Sequence, residues 1–496
     1  MVAVASAQNS YDAADFAGSD LNGTARYVGM GGALSALGGD ISTMGSNPAG
    51  TAMFHRDEVA FTVSGIFTDT KGQLGHDATR ASFDQAGVVF SLDQDNSSNR
   101  GLQYINFGVN YVKHRNHLGN FNTPIANLAN TFSQTFQIAD LANAAYDNDS
   151  WGMLPDFAAP AYDSNGNISK DGILIDTYDN AGKFLGYEGM AARSANYRRA
   201  QFGSTTEADF NISFNVSDKY FWGVTLGVYD IDFTRESFYE EMGVDGNSYD
   251  ISNWYETSGE GFDVKLGFIC RPIDNSPFRF GITINTPIWY SMEDQNGATM
   301  YYTSASDGRS VDISTNPNYT DPYQYTYSTP WKFGFSLGHT IGNYMAIGAE
   351  YELADFSHAK YESRDWSNDA YFQAINDITK ASLTTQSTFK LGLEVKPAPS
   401  VALRCGYNYV SSPYKNESYR TIAYDSPFTE TDYCNWKGIN RFTLGVGYRF
   451  NGGYFDLAYQ FQYQKGDFYA FDDVDLRPTE IENNRSQIMA TLGFRF

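Results

Sequence analysis

The sequence predicts an all-β protein: a transmembrane antiparallel β-barrel of about fourteen strands, with an N-terminal plug in its lumen and long extracellular loops. Three observations carry the prediction. At the C-terminus, Ile488, Ala490, Leu492, Phe494 and Phe496 share one face of a strand, and Gln487, Met489, Thr491, Gly493 and Arg495 share the other. A strand apolar outside, polar inside and ending on Phe suits a wall with lipid on one side. Period-two segments then recur near 58–68, 85–93, 102–114, 208–217, 220–234, 260–271, 277–288, 329–340, 343–354, 384–396, 399–411, 437–450, 453–465 and 485–496. That is an even number, as single-chain bacterial barrels require. Finally, connections alternate in length. Ser217-Asp218-Lys219, Gly342-Asn343, Pro397-Ala398 and Asn451-Gly452-Gly453 are short, whereas 115–207, 235–259, 289–328, 355–383, 412–436 and 466–484 are long. A soluble sandwich has no reason for that asymmetry.

Composition agrees. A chain of 496 residues is long for one soluble domain, but one closed sheet uses it all. Mean hydropathy is −0.42, and no apolar run is long enough for a membrane helix. In a barrel only alternate residues need be apolar. The 36 Tyr and 36 Phe suit aromatic girdles at the two membrane interfaces. A net charge of −24 excludes nucleic acid as a partner, since phosphates need a basic surface. Much of the acid, such as Asp472, Asp473 and Asp475, falls in turn-like segments. A solvated loop face accounts for it, with divalent cations beside acidic lipids as the sharper alternative. Cys270, Cys405 and Cys434 form neither a disulfide framework nor a zinc pattern.

Taken in order, residues 1–7 read as a signal-peptide remnant, because Ala5-Ser6-Ala7 fits a cleavage site before Gln8. That implies export. Residues 8–57 break the strand pattern and are rich in small residues, which suggests a compact plug or hatch. Residues 58–496 form the barrel. Its outward face includes Phe278, Phe280, Ile282 and Ile284, then Phe442, Leu444, Val446 and Tyr448. Inward positions are rich in glycine, among them Gly108, Gly223, Gly267, Gly281, Gly348, Gly392, Gly406 and Gly445. Such glycines either leave room in the lumen or ease strand curvature. The long loop 115–207 carries a helical pattern from Pro124 to Tyr146, with Pro124 in the first turn. Its apolar face either packs on the barrel rim or meets a ligand.

Arg26, Gly29, Gly31, Gly32, Asp40 and the run Asn47-Pro48-Ala49-Gly50 make the N-terminal segment resemble the hatch of the outer-membrane long-chain fatty-acid and hydrocarbon transporter family (FadL-like). The whole chain follows that layout, and its Tyr- and Asp-rich loops resemble Bacteroidetes-type members. The resemblance implies passive uptake of hydrophobic small molecules through the bacterial outer membrane. Ligand would be captured between extracellular loops, held in the lumen and released sideways beside a kink in the third strand, where Gly108 is the candidate. It further implies a monomer surrounded by outer-membrane lipids, without a cofactor. Related barrels that bind exported proteins for type IX secretion supply the alternative.

Catalytic motifs are absent: there is no Gly-x-Ser-x-Gly elbow, His-Glu-x-x-His or P-loop. His114 and His117 read as structural or solvated. The run Asp163-x-Asn165-x-Asn167 is a poor calcium loop, because Ile168 stands where glycine is expected. Lumen-facing Arg279, Lys332, Lys390, Arg404 and Arg441 are the candidate ligand-binding cations. Either Asp263, Glu350, Glu352 and Glu394 neutralise them, or one or two hold a ligand carboxylate.

Overall fold

In the computed structural model, described for residues 9–496 except 70–78, 95–100, 127, 163–167, 171, 275, 307, 309, 315–321, 365–368 and 474, fourteen strands close into one antiparallel ring. Residues 1–7 and the Asp163–Asn167 run therefore lie outside the described residues. The wall strands are β1 (Glu58–Asp69), β2 (Thr79–Asp93), β3 (Leu102–Asn116), β4 (Ala192–Val216), β5 (Tyr220–Gly243), β6 (Ser248–Cys270) and β7 (Arg279–Asn285). They continue as β8 (Lys332–Ile341), β9 (Met345–Asp355), β10 (Thr385–Ala398), β11 (Val401–Val410), β12 (Ile439–Phe450), β13 (Gly453–Tyr463) and β14 (Asn484–Arg495). Every predicted segment contributes one strand. β14 pairs with β1 from Arg495↔Glu58 to Asn484↔Asp69, so the ring has no free edge.

The outward face of β5 shows where the bilayer lies. Tyr220, Trp222, Val224, Leu226 and Val228 are exposed and apolar, and the exposed series then turns to Asp230 and Asp232. Nine residues of tilted strand match the hydrocarbon thickness. Beyond that level β5 and β6 continue, paired without interruption up to Met242↔Ser248. The expected long loop at 235–259 is therefore mostly strand, closed by a tight turn. Above the bilayer polarity inverts: Ile231, Phe233, Tyr239, Ile251 and Tyr255 point inward and are buried, whereas Glu256 and Glu260 are exposed. Water has replaced lipid outside, so the apolar face turns in.

This extension widens into a second wall. The lower part of β6, Lys265–Cys270, pairs with β7, while its upper part, Ser248–Phe262, pairs with a strand over Trp289–Thr303. That strand pairs with Tyr323–Ser328, which pairs with Lys360–Ser363. Three helices cap the space: α4 (Gln134–Asn148), α5 (Met153–Ala158) and α6 (Asp369–Ser382). The predicted helix thus starts later. Pro124 ends a short strand over Gly119–Pro124, and Ala129 and Asn130 take positive φ values of 51° and 57° before Ser133 caps Gln134.

The ladder runs through Gly108 without a register shift. Gly108 pairs with Val89 and Asn211, and the irregularities of β3 lie at Leu102/Tyr104 and Lys113/Arg115. A Cβ at Gly108 would meet the Met44 side chain, so the glycine admits the plug.

The cap is moored by a carboxylate above the membrane. Glu241 accepts from Ser133 Oγ at 2.6 Å, Gln134 N at 3.1 Å and Tyr239 OH at 2.5 Å. Burial outweighs these bonds and raises its carboxyl to about 7. A raised folded value means the favourable contribution is complete below pH 4.5 and is lost as pH rises through about 7. Amide exchange over 134–148, corrected for intrinsic rate, should show weaker protection at pH 8 than at pH 5. The difference should be on the order of 1–3 kcal/mol, and Glu241→Gln should abolish it.

Candidate functional site

Residues 9–57 thread the lumen. Helix α1 (Ser10–Ala17) sits among the extension strands, with Ala13 and Phe16 in a core with Phe233, Tyr255, Tyr290 and Tyr327. Its Asn9 cap accepts from Tyr11 N and Asp12 N, both at 2.9 Å. Below, Asp20 meets Arg485 at 2.9 Å and Arg441 at 3.8 Å. Burial alone would raise the Asp20 carboxyl, but these guanidiniums hold it below the usual range.

The lower plug comprises α2 (Ala25–Gly29), α3 (Thr43–Ser46) and a 3-10 turn over Pro48–Met53. Asp40 ties its parts together, accepting from Thr24 Oγ1 at 2.8 Å and Ser42 N at 3.1 Å. Arg26 donates to Gly39 O at 2.9 Å and Glu394 at 3.2 Å. Asn47 accepts from Ala49 N at 3.1 Å and so shapes the Asn47-Pro48-Ala49 turn.

The wall glycines seat this plug. A Cβ at Gly223 would strike Pro48, one at Gly267 would strike Asn47, and one at Gly348 or Gly392 would strike the carbonyl of Ala33 or Met30. Gly406 faces Gly31, and Gly445 faces Gly29. Gly31 has φ of 63° and lies against the backbone of Leu391 and Tyr407, so a side chain there is excluded on both counts. Gly32, with φ of 81°, completes the turn after α2. Of the two readings of inward glycine, close approach of the plug is what these positions show.

The five candidate cations face the lumen in different states. Lys390 pairs with Glu350 at 2.7 Å and Glu352 at 2.8 Å. Arg404 pairs with Glu394 and Asp456, each at 2.7 Å. Arg441 donates to Asn408 and Gln462, each at 3.0 Å, in addition to Asp20. Arg279 donates to Leu37 O in the plug. Among the described residues Lys332 has no carboxylate within ion-pairing distance; it lines a lumen cavity of about 160 Å³ with Asp20, Glu207, Asp263, Lys390 and Arg441. That cavity is strongly polar. His114 bonds Glu207 at 2.8 Å, and His117 lies 3.0 Å from Thr205. Both histidines are therefore structural.

A larger cavity, about 320 Å³, lies above, between α6 and residues 419–428. Tyr371, Ile375, Ile378, Ile422, Pro427 and Phe428 give it an apolar lining, and Asn9 and Ser10 border it. Phe372, Ile375, Thr379 and Ser382 turn one face of α6 into the protein, while Ile378 stays 41% exposed beside the cavity. Asn376 fixes the helix by exchanging two 2.8 Å hydrogen bonds with the Tyr361 backbone. Sequence reasoning passed over this site by treating 355–383 as a plain loop. The recurrence of Tyr371, Ile375 and Ile378 at helical spacing is the signal that reveals it.

A closed membrane barrel with a glycine-seated plug and an apolar cavity among its outer loops defines the architecture of a plugged β-barrel. Solved structures share the architecture. They include the P. putida toluene transporter TodX (13% identity, 96% of this chain and 99% of that chain, TM-score 0.51) and the Ralstonia pickettii toluene transporter TbuX (11%, 96% and 99%, 0.50). The CymD monoaromatic hydrocarbon channel is similar to the same degree (10%, 97% and 99%, 0.50). No family model matches the chain, and no curated protein matches it. At such identities the likeness establishes the fold.

Two substitutions probe the plug seat. Gly406→Val should force Gly31 away from the wall, at a cost of about 1–3 kcal/mol, and expose Arg26 to trypsin in the folded barrel. Glu394→Ala strips a shared carboxylate from Arg26 and Arg404 and should cost about 3 kcal/mol, read as faster amide exchange over 25–29. Unchanged cleavage and exchange would show that these contacts do not hold the plug.

Proposed function

We propose that the protein is an outer-membrane channel for passive uptake of hydrophobic small molecules, in the manner of the long-chain fatty-acid and hydrocarbon transporters. The apolar cavity beside α6 carries this reading. It lies at the extracellular end, is the largest of the cavities described above, and is lined by aromatic and branched aliphatic side chains of the kind that bind apolar ligands. The shared barrel architecture supports it, and the hydrocarbon specificity of those structures suggests monoaromatic compounds as first probes. Ligand enters between α6 and residues 419–428 and passes down beside α1. It then meets the hatch, residues 9–57, in which Arg26, Gly29, Gly31, Gly32, Asn47, Pro48 and Ala49 form the seated portion. Of the lumen cations, Lys332 is best placed to meet a ligand, since Arg279, Lys390, Arg404 and Arg441 are engaged with the protein.

Ile375→Asp puts a charge on the cavity wall. It should weaken toluene binding by the purified protein at least tenfold while the barrel keeps its heat-modifiable gel mobility. Uptake into proteoliposomes should fall in parallel. Unaltered binding would remove the cavity from the transport path.

A further inference from the structure

The apolar cavity has a polar neighbour. A second cavity of about 90 Å³ is bordered by Tyr11, Asn120, Arg199, Gln201, Tyr414 and Tyr433. The two flank the same stretch of chain: Asn9 and Ser10 border the apolar one, Tyr11 and Asp12 the polar one, and Arg420 borders both.

Asn120 is the telling residue. It is 91% buried, being 9% exposed, and among the described residues neither its Nδ2 nor its Oδ1 has a hydrogen-bond partner. A buried side-chain amide with both ends unmet is rare, because each unpaired group keeps its desolvation cost. What satisfies it must accept from Nδ2 and donate to Oδ1, which a hydroxyl or an amide does and a bare hydrocarbon does not.

Charge narrows the choice. Arg199 is bound to Asp432; Arg235 is held by Asp12 at 2.8 Å and Glu430 at 2.6 Å. Arg420 donates to Asp432 O at 3.0 Å and lies 4.0 Å from Glu430. Asp15 is bound to Arg115, and Glu482 lies 3.9 Å from Lys465, so the charged groups bordering the cavity already have partners of opposite sign. Among the described residues, a carboxylate or phosphate head finds no uncommitted cation here. Rings supply the rest of the surface: Tyr11 stacks on Tyr414 at 5.1 Å and meets Tyr433 at a tilt at 5.5 Å, so the polar cavity has aromatic walls as well.

We propose that the two cavities form one site for an uncharged amphiphile, with its apolar body beside α6 and a hydroxyl or amide head on Asn120. This rests on the capture role given to the apolar cavity and deepens it by naming the ligand class. The plain hydrocarbon and the fatty acid become the disfavoured extremes, one lacking a head to satisfy Asn120 and the other carrying an unmatched charge.

Three probes with one apolar body separate the cases: 3-phenylpropan-1-ol, n-propylbenzene and 3-phenylpropionate. Each is titrated into the full chain in amphipol, with affinity read by saturation-transfer NMR. The alcohol should bind at least tenfold tighter than either companion. Asn120→Leu should erase that preference by weakening the alcohol about tenfold while leaving propylbenzene unchanged. Equal affinity for alcohol and hydrocarbon, or tighter binding of the carboxylate, overturns the amphiphile proposal but leaves hydrophobic capture standing. Failure of all three to bind, or binding indifferent to Ile375→Asp, overturns both. An alcohol preference that survives Asn120→Leu overturns the role of Asn120, because a head satisfied elsewhere would not notice its loss.

Discussion

The constraint on which the structure depends is closure of the sheet. Once β14 is paired with β1, each wall residue faces either lipid or lumen, and polar side chains on the inner face take one another, the plug and lumen water for partners. The plug answers that demand. Thr225 donates to Met44 O at 3.0 Å, Thr443 to Gly29 O at 3.2 Å, and Asn106 to Thr51 O at 2.6 Å, so wall hydroxyls and amides satisfy plug carbonyls. Wall glycines let the two backbones approach closely enough for these bonds to form. Sequence, register and plug seat are thus one arrangement: an inward residue one position out of register would face lipid, and its plug contact would be lost.

The same alternation explains what the sequence disclosed. Within the bilayer an apolar outer face is compulsory, so every wall strand was visible as a period-two pattern, down to Ile488, Leu492 and Phe494 at the end. Above the bilayer the periodicity persists but its sense reverses. In β5, Val228 is exposed and apolar, while two residues on Asp230 is exposed and charged and Ile231 is buried. A search for apolar-outside strands stops at that switch, which is why 235–259 read as loop. The N-terminal residues gave their compactness away through glycine, but not the ascent of α1 into the extension. That placement depends on contacts such as Tyr327 OH with Ala13 O at 2.6 Å, across more than three hundred residues of sequence.

Lumen charge was legible as a list and illegible as a network. Lys390 and Arg404 could be assigned to the inner face, but their partners depend on register. Glu350 stands directly opposite Lys390, and Glu394 opposite Arg404. Glu207 and Asp209, which hold Lys265, and Asp456, which holds Arg404, lie on strands whose alternation was recognised without their acids being counted. The apolar cavity escaped for a different reason: its two sides, α6 and residues 419–428, come from separate loops, and no local pattern announces that they face each other.

The order of environments along the axis bears on the proposed uptake. An apolar cavity at the top adjoins aromatic, partly polar surroundings at α1, and below these lies a chamber of charged side chains bordered by the plug. A ligand with no polar atom would have to leave favourable surroundings for a lumen that offers it nothing. One that carries a hydroxyl or amide can exchange partners on the way down. Because most of the candidate lumen cations are engaged with the protein, the proposed uptake favours uncharged heads over anions, unless Lys332 or movement of Asp20 frees a positive charge. Asp20 belongs to the threaded segment and not to the wall, so the carboxylate that quiets Arg441 and Arg485 would leave with the segment if the segment moved. Displacing the N-terminal residues would therefore clear space and, in the same step, uncover two guanidiniums, changing both the width and the charge of the path.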